Sequence, residues 1–206
     1  MISALEALAR LRAGNKRYVD NVLSIDSLDL HARRTELVPK QTPSAVILGC
    51  ADSRVPPELV FDQGLGDLFV VRVAGNVVTP SQMGSIEFAV DSLGCRLVVV
   101  LGHTQCGAVK AAVQQGESTM PQDLGALIDQ VRRSVDGELE AHPLAEGEDP
   151  IGRAVRANVR ASARSLRSGS PVLEGLIRSN RLVVIGAEYA LETGEVDFFD
   201  GVDELQ

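Results

Sequence analysis

Four short apolar runs constrain the fold of this chain most strongly: "SAVILG" (44–49), "DLFVVRVAG" (67–75), "RLVVVLG" (96–102) and "RLVVIGAEY" (181–189). Each is rich in β-branched residues, too short for a core helix, and lacks the polar alternation of a half-solvated strand. Strands buried on both faces have this signature. The segments between them carry helical spacing. Apolar positions at Ile2, Leu5, Leu8, Leu11 and Tyr18 predict a helix over 2–19, loosened toward its end by Gly14 and Asn15. A weaker helical pattern covers 28–37. Further helices are expected over 81–93 with Ser81 as cap, from a Thr104 cap through 113, over 121–135 and over 150–168. Strands alternating with helices imply βα units and a mostly parallel four-stranded sheet. After the last run, "TGEV" turns the chain into "VDFF" (196–199), a fifth, antiparallel edge strand. The expectation is therefore an α/β fold with helices on both faces and an N-terminal helical arm over 1–40. It forms a single domain over 1–206, with the polar stretch 136–149 as an internal loop. With 3% aromatic residues and no tryptophan, aliphatic side chains must fill the core.

Charge and cysteine usage narrow the function. A net charge of −8 disfavours a nucleic-acid partner. No apolar run reaches the ~18–20 residues that a membrane span requires, so no membrane partner is expected. The N-terminus lacks the basic start, apolar stretch and cleavage site of a signal peptide, and a cytoplasmic location is expected. Three cysteines are too few and of the wrong parity for a disulfide framework; in a reducing compartment they point to metal binding or catalysis.

The chemistry concentrates in two motifs. "CADSR" (50–54) follows the first run and precedes Pro56 and Pro57, which suit the first turn of a helix. In an extended segment Cys50, Asp52 and Arg54 project to one side. They sit past the carboxyl end of a strand, where open α/β sheets place their ligands. "GHTQCGAV" (102–109) follows the third run, and the offset between His103 and Cys106 lets both face one point. If the two strands are neighbours, Cys50, His103 and Cys106 converge. Two thiolates and an imidazole are a zinc set that leaves a fourth position open.

"CADSR" followed by "GHTQCGAV" resembles the paired signatures of the beta-class carbonic anhydrases. The resemblance extends to "LRAGNKRYV" (11–19), "LFVVRVAGNVV" (68–78), "GSIEFAV" (84–90) and "ETGEVDFF" (192–199). It implies one Zn²⁺ per chain, held by Cys50, His103 and Cys106. The implied reaction is reversible hydration of carbon dioxide to bicarbonate and a proton, by attack of zinc-bound hydroxide. Asp52 and Arg54 match the family's catalytic dyad. An ionised Asp52 only accepts hydrogen bonds, so it selects a donor in the fourth position. In some members this aspartate leaves its arginine and takes that position, so Asp52 is also a candidate metal ligand. Thiolates donate more charge than the all-histidine set of the best-known case, so an alkaline optimum is expected.

Bicarbonate-regulated members carry a tryptophan and a tyrosine where this chain has Ile47 and Phe88, although Arg72 is kept. The resemblance therefore favours the open, plant-like pocket. In it Gln41 would bond substrate oxygen and Phe69, Ala74 and Phe88 would form an apolar wall. A homodimer or homotetramer is implied, with pockets at a dimer interface and the N-terminal helix lying across a neighbouring subunit. A hydrolase of carbon disulfide or carbonyl sulfide on the same scaffold, and a non-catalytic zinc protein with Asp52 as a fixed ligand, are the alternatives.

Three features fall outside these motifs. Cys95 is expected to be structural. His31 and His142 lie in polar surroundings, where either could relay protons. Arg153, Arg156, Arg160, Arg164 and Arg167 recur at helical steps and predict a basic stripe, solvated or paired within the molecule.

Overall fold

All four short apolar runs form strands of one sheet. The computed structural model describes residues 2–22, 24, 30–114, 120–141 and 149–205. Its strands are β1 (Ala45–Gly49), β2 (Leu68–Arg72), β3 (Leu97–His103), β4 (Val183–Tyr189) and β5 (Val196–Asp200), in the order β2-β1-β3-β4-β5. The first four run parallel, and β5 pairs antiparallel with β4. Val46 pairs with Phe69 on one side and Val98 on the other, so β1 and β3 leave the sheet together at their carboxyl ends.

Alternate residues supply two cores, as the two-residue period of a strand requires. Val46, Leu48, Val98, Val100 and Val184 pack beneath α4 (Pro80–Asp91), α7 (Pro150–Ser168) and α8 (Pro171–Arg178). Ala45, Ile47, Leu97, Val99 and Ile185 face α1 (Ala4–Val19) and α3 (Pro57–Val60). A third cluster closes the carboxyl end of the sheet, where α5 (Gly107–Gln114) and α6 (Gln122–Ala141) meet α7 around Val109, Ile128, Val131 and Val155. A short α2 (Leu30–Leu37) precedes β1.

The structure corrects several expectations. Gly14 and Asn15 do not loosen α1, which continues to Val19. A Cβ on Gly14 would stand 1.7 Å from the Phe61 carbonyl oxygen, so glycine is what lets α1 cross α3 so closely. Asn15 is buried; its amide donates to the carbonyls of Val60 at 3.1 Å and Gly194 at 2.8 Å, and its oxygen accepts from the Val196 N–H at 2.9 Å. With Ala7, Leu8 and Leu11 buried on its own sheet, α1 belongs to this chain's core. Residues 136–141 extend α6 instead of forming a loop. Gly137 costs a helix only about 1 kcal/mol, and the glutamates beside it favour helix. The α4 cap is Thr79, in a capping box with Gln82 and with Pro80 at the first helical position; Ser81 lies inside the helix.

The basic stripe is paired within the molecule. Arg156 donates to Glu188 at 2.8 Å and to Asp197. The guanidiniums of Arg156 and Arg160 lie 4.4 and 5.0 Å from the Phe199 ring centre. Arg167 donates to Asp200 at 2.7 Å and to the Val184 carbonyl, and Arg153 and Arg164 are also partnered. The stripe thus clamps α7 onto the antiparallel edge strand.

Candidate metal centre

Parallel pairing of β1 and β3 delivers the two motifs to one place. Cys50 follows β1, His103 ends β3, and Cys106 directly precedes α5. Their donor atoms all lie within 4.8 Å of one another, and the three residues are 4%, 0% and 1% exposed. The spacing suits ligands of a single ion, since tetrahedral Zn–S bonds of about 2.3 Å put neighbouring sulfurs a little under 4 Å apart.

Each donor is prepared by its surroundings. The Nδ1 of His103 lies 2.8 Å from the Thr104 carbonyl oxygen, an acceptor, so Nδ1 carries the proton and Nε2 presents a bare lone pair. Nε2 is buried with no hydrogen-bond partner. Thr104 does not cap α5. Its N–H donates to the Tyr189 carbonyl at 2.9 Å, its hydroxyl donates to Glu192 at 2.8 Å, and it accepts from the Leu191 N–H at 3.0 Å. These bonds hold the carbonyl that holds His103.

At Cys50, the Gly75 N–H donates to the sulfur at 3.4 Å. Arg72 donates to the carbonyls of Cys50 at 2.9 Å and Asp52 at 2.5 Å, which fixes the turn between them. The hydrogen bond from Cys106 draws the Cys50 thiol well below the usual thiol range, against the opposing effect of burial. That same bond to Cys50, together with burial, pushes Cys106 up. Two sulfurs this close repel if both are ionised, which a cation between them offsets. Two soft sulfurs, one bare imidazole nitrogen and burial fit zinc.

Asp52 and Arg54 form a two-pronged pair: Nε donates to Oδ1 at 2.9 Å and Nη2 to Oδ2 at 2.7 Å, while the Arg54 N–H also donates to Oδ1 at 2.9 Å. The Arg54 guanidinium holds the Asp52 carboxyl far below the usual carboxylate range. Oδ2 is 3.9 Å from His103 Nε2. With both oxygens engaged by Arg54, Asp52 stands beside the donor set and not within it.

The other predicted site residues divide. Ala74 opens a 3₁₀ turn, Ala74–Asn76, that places it next to Gly75 at the centre. Gln41 is exposed and precedes β1, whereas Cys50 follows it, so a strand length of about 16 Å separates them within one chain. Phe69 sits beside Val46, early in β1, and contacts Phe88 with ring centres 6.3 Å apart. The fold does not bring these three to their own chain's metal centre. Cys95 is also at the far end of the sheet, its thiol donating to the Pro43 carbonyl at 3.5 Å and pushed up to about 11 by burial. It is a buried, inert thiol. His31 lies on α2, its side chain outside the described residues, as is the whole of His142. Sequence reasoning missed Arg72 as the clamp on "CADSR" and Thr104 as the support of His103; the only signal was proximity to the motifs.

Residues 45–196 match the family model described as carbonic anhydrase. Carbonic anhydrase 2 of Mycobacterium tuberculosis is 37% identical over 196 residues, covering 95% of this chain and 92% of that protein. The carbonic anhydrase of Mycolicibacterium smegmatis is 39% identical over 190 residues, covering 91% and 89%. Among solved structures, the Coccomyxa beta-carbonic anhydrase in complex with acetazolamide superposes with a TM-score of 0.74 at 26% identity, covering 96% of this chain and 90% of that one.

Proposed function

The chain belongs to the beta-carbonic anhydrase family, and from that premise we propose that it catalyses the reversible hydration of carbon dioxide with one zinc ion per chain. The observation that carries this is the buried convergence of Cys50, His103 and Cys106 beside an Asp52 already locked to Arg54. Zinc on those three donors would acidify a water molecule far below its free value, less strongly than an all-histidine site because two ligands are thiolates. The chain's own residues do the rest. Asp52 is ionised and only accepts, so Oδ2 would accept a hydrogen bond from water and disfavour an anion such as chloride, which has no proton to offer. Arg54 fixes the direction of that acceptor, and burial of the donors excludes bulk solvent.

Gln41, Phe69 and Phe88 enter this reading through a second copy of the chain. Gln41 is exposed, Phe88 is 50% exposed, and β2 is an edge strand of the sheet. We assign them to the pocket of a partner subunit, which makes a homodimer the smallest active unit and leaves a homotetramer open. Gln41→Ala is expected to lower turnover several-fold with zinc retained. Mixing Gln41→Ala chains with zinc-free Cys50→Ser chains is expected to exceed the summed activity of either alone, because one pocket of the mixed dimer is intact. Strictly additive activity refutes the assignment.

The described residues contain no helix long and apolar enough to cross a membrane, and we keep the cytoplasmic assignment as a proposal. Stopped-flow carbon dioxide hydration against pH, with zinc measured on the same sample, tests the function. The expected result is one zinc per chain, loss of rate on chelation, recovery with zinc, and a rate still rising above neutral pH. Full zinc with no activity between about pH 6 and 9 supports a non-catalytic site. Turnover of carbon disulfide or carbonyl sulfide alone supports the hydrolase alternative.

A further inference from the structure

One residue in the apolar heart of α7 is out of keeping with its neighbours. Ala154, Val155, Ala157 and Val159 are buried aliphatic side chains, yet Asn158 among them is 0% exposed. Its amide nitrogen donates to the Gly75 carbonyl at 2.7 Å, and its amide oxygen has no partner. A half-satisfied amide in a core gives little stability. Its contribution has to be sought in what it holds.

Gly75 is held at both ends. Its carbonyl is tied to Asn158, and its own N–H points at the Cys50 sulfur 3.4 Å away. The backbone between is unusual: Gly75 has φ 73° and Asn76, a non-glycine residue, has φ 42°. Two consecutive left-handed residues persist only where the surroundings determine them. A Cβ on Gly75 would stand 2.8 Å from Val131 Cγ2 and 3.3 Å from Ala108 Cβ, so α5 and α6 press the turn against the site.

We propose that Asn158 is a positioning residue for the Cys50 ligand: acting through Gly75, it aims a backbone N–H at the sulfur and strengthens that thiolate's hold on the metal. An N–H directed at a thiolate stabilises its negative charge and fixes its lone pairs, which are conditions for tight, ordered ligation. Asn158 lies in the middle of α7, in neither motif, and its hydrogen bond to the site is to this one carbonyl. The inference rests on the zinc reading of the site.

The test uses full-length protein carrying Asn158→Leu, which keeps the branched heavy-atom outline and removes the donor, with the smaller Asn158→Ala as a second variant. Zinc affinity is measured by competition with a chromophoric chelator, and cobalt(II) is loaded as a spectroscopic probe. Both variants are expected to bind zinc about 10–100-fold more weakly. Their sulfur-to-cobalt charge-transfer band is expected at longer wavelength, since loss of the hydrogen bond raises the sulfur lone pair. A residue that only supports the fold would lower the melting temperature of the metal-free protein without moving that band. Unchanged affinity and an unmoved band in either folded variant overturn the inference alone. Wild-type protein that takes up neither ion removes the metal reading, and this inference with it.

Discussion

Cys50→Ser chains are expected to purify without zinc and to lose carbon dioxide hydration by at least about a thousandfold. The expectation follows from charge and burial together. Two thiolates cancel the charge of a Zn²⁺ ion, and the neutral His103 adds none. With serine at 50, the hydroxyl stays protonated near neutral pH, and the ion would sit with uncompensated charge in a site whose ligands are at most 4% exposed. The loss in affinity should therefore exceed the ~10–100-fold typical of substitutions one shell further out. A stability readout accompanies it. Binding to the folded state alone stabilises that state by mass action, so excess zinc should raise the melting temperature of the stripped wild-type protein and leave Cys50→Ser unmoved. Cys95→Ala, at the far end of the sheet, is the control and should keep both zinc and rate. A Cys50→Ser protein with full zinc and wild-type turnover would mean that the site does not use this sulfur.

How far the residues alone disclose this arrangement depends on the range of the interaction. The sheet was legible because strands buried on both faces are written as unbroken aliphatic runs, and β1, β3 and β4 are such runs. The metal donors were legible because they lie at or just past the ends of strands, and neighbouring parallel strands end close together. The Asp52–Arg54 pair was legible because its members lie two residues apart. What escaped depends on contacts that no local pattern records. Propensity penalises Gly14 and Asn15 in a helix, yet the close pass over Phe61 and the bonds to Val60 and Gly194 require them. Asn158 reaches a carbonyl 83 positions away. The missed helix α8 did carry a signal, a Ser170 cap followed by Pro171, with Leu173, Leu176 and Ile177 at helical spacing. Gln41 was placed by its distance in sequence from Cys50, a measure blind to the strand that intervenes and sends the two to opposite ends of the sheet.

Asp52→Asn should keep its zinc and lose about 10²–10³-fold in kcat/KM, the range for removing one proton-accepting or orienting group from a reacting centre. Asparagine keeps the shape but offers an oxygen and an NH₂ group. Opposite the Arg54 guanidinium, which only donates, the oxygen turns to the arginine and the NH₂ group faces the site. A donor then stands where an acceptor is needed, and discrimination against acceptor-only anions is lost with the rate, so inhibition by chloride should strengthen. The pH dependence separates charge from position. A depressed carboxyl contributes above the ordinary carboxylate range and loses that contribution only as pH falls through its lowered value. With Arg54 holding Asp52 far down, any loss of activity near neutral pH on acidification does not come from Asp52. Arg54→Leu lets that carboxyl return toward its ordinary value near 4, still ionised at neutral pH, but frees it to rotate. It should therefore cost less than Asp52→Asn, about tenfold, with the shape of the profile unchanged around neutrality. Should Asp52→Asn shed its zinc instead, Asp52 would be a ligand and the open position on which turnover depends would not exist. Should it keep both zinc and rate, the acceptor beside the metal would have no part in the chemistry.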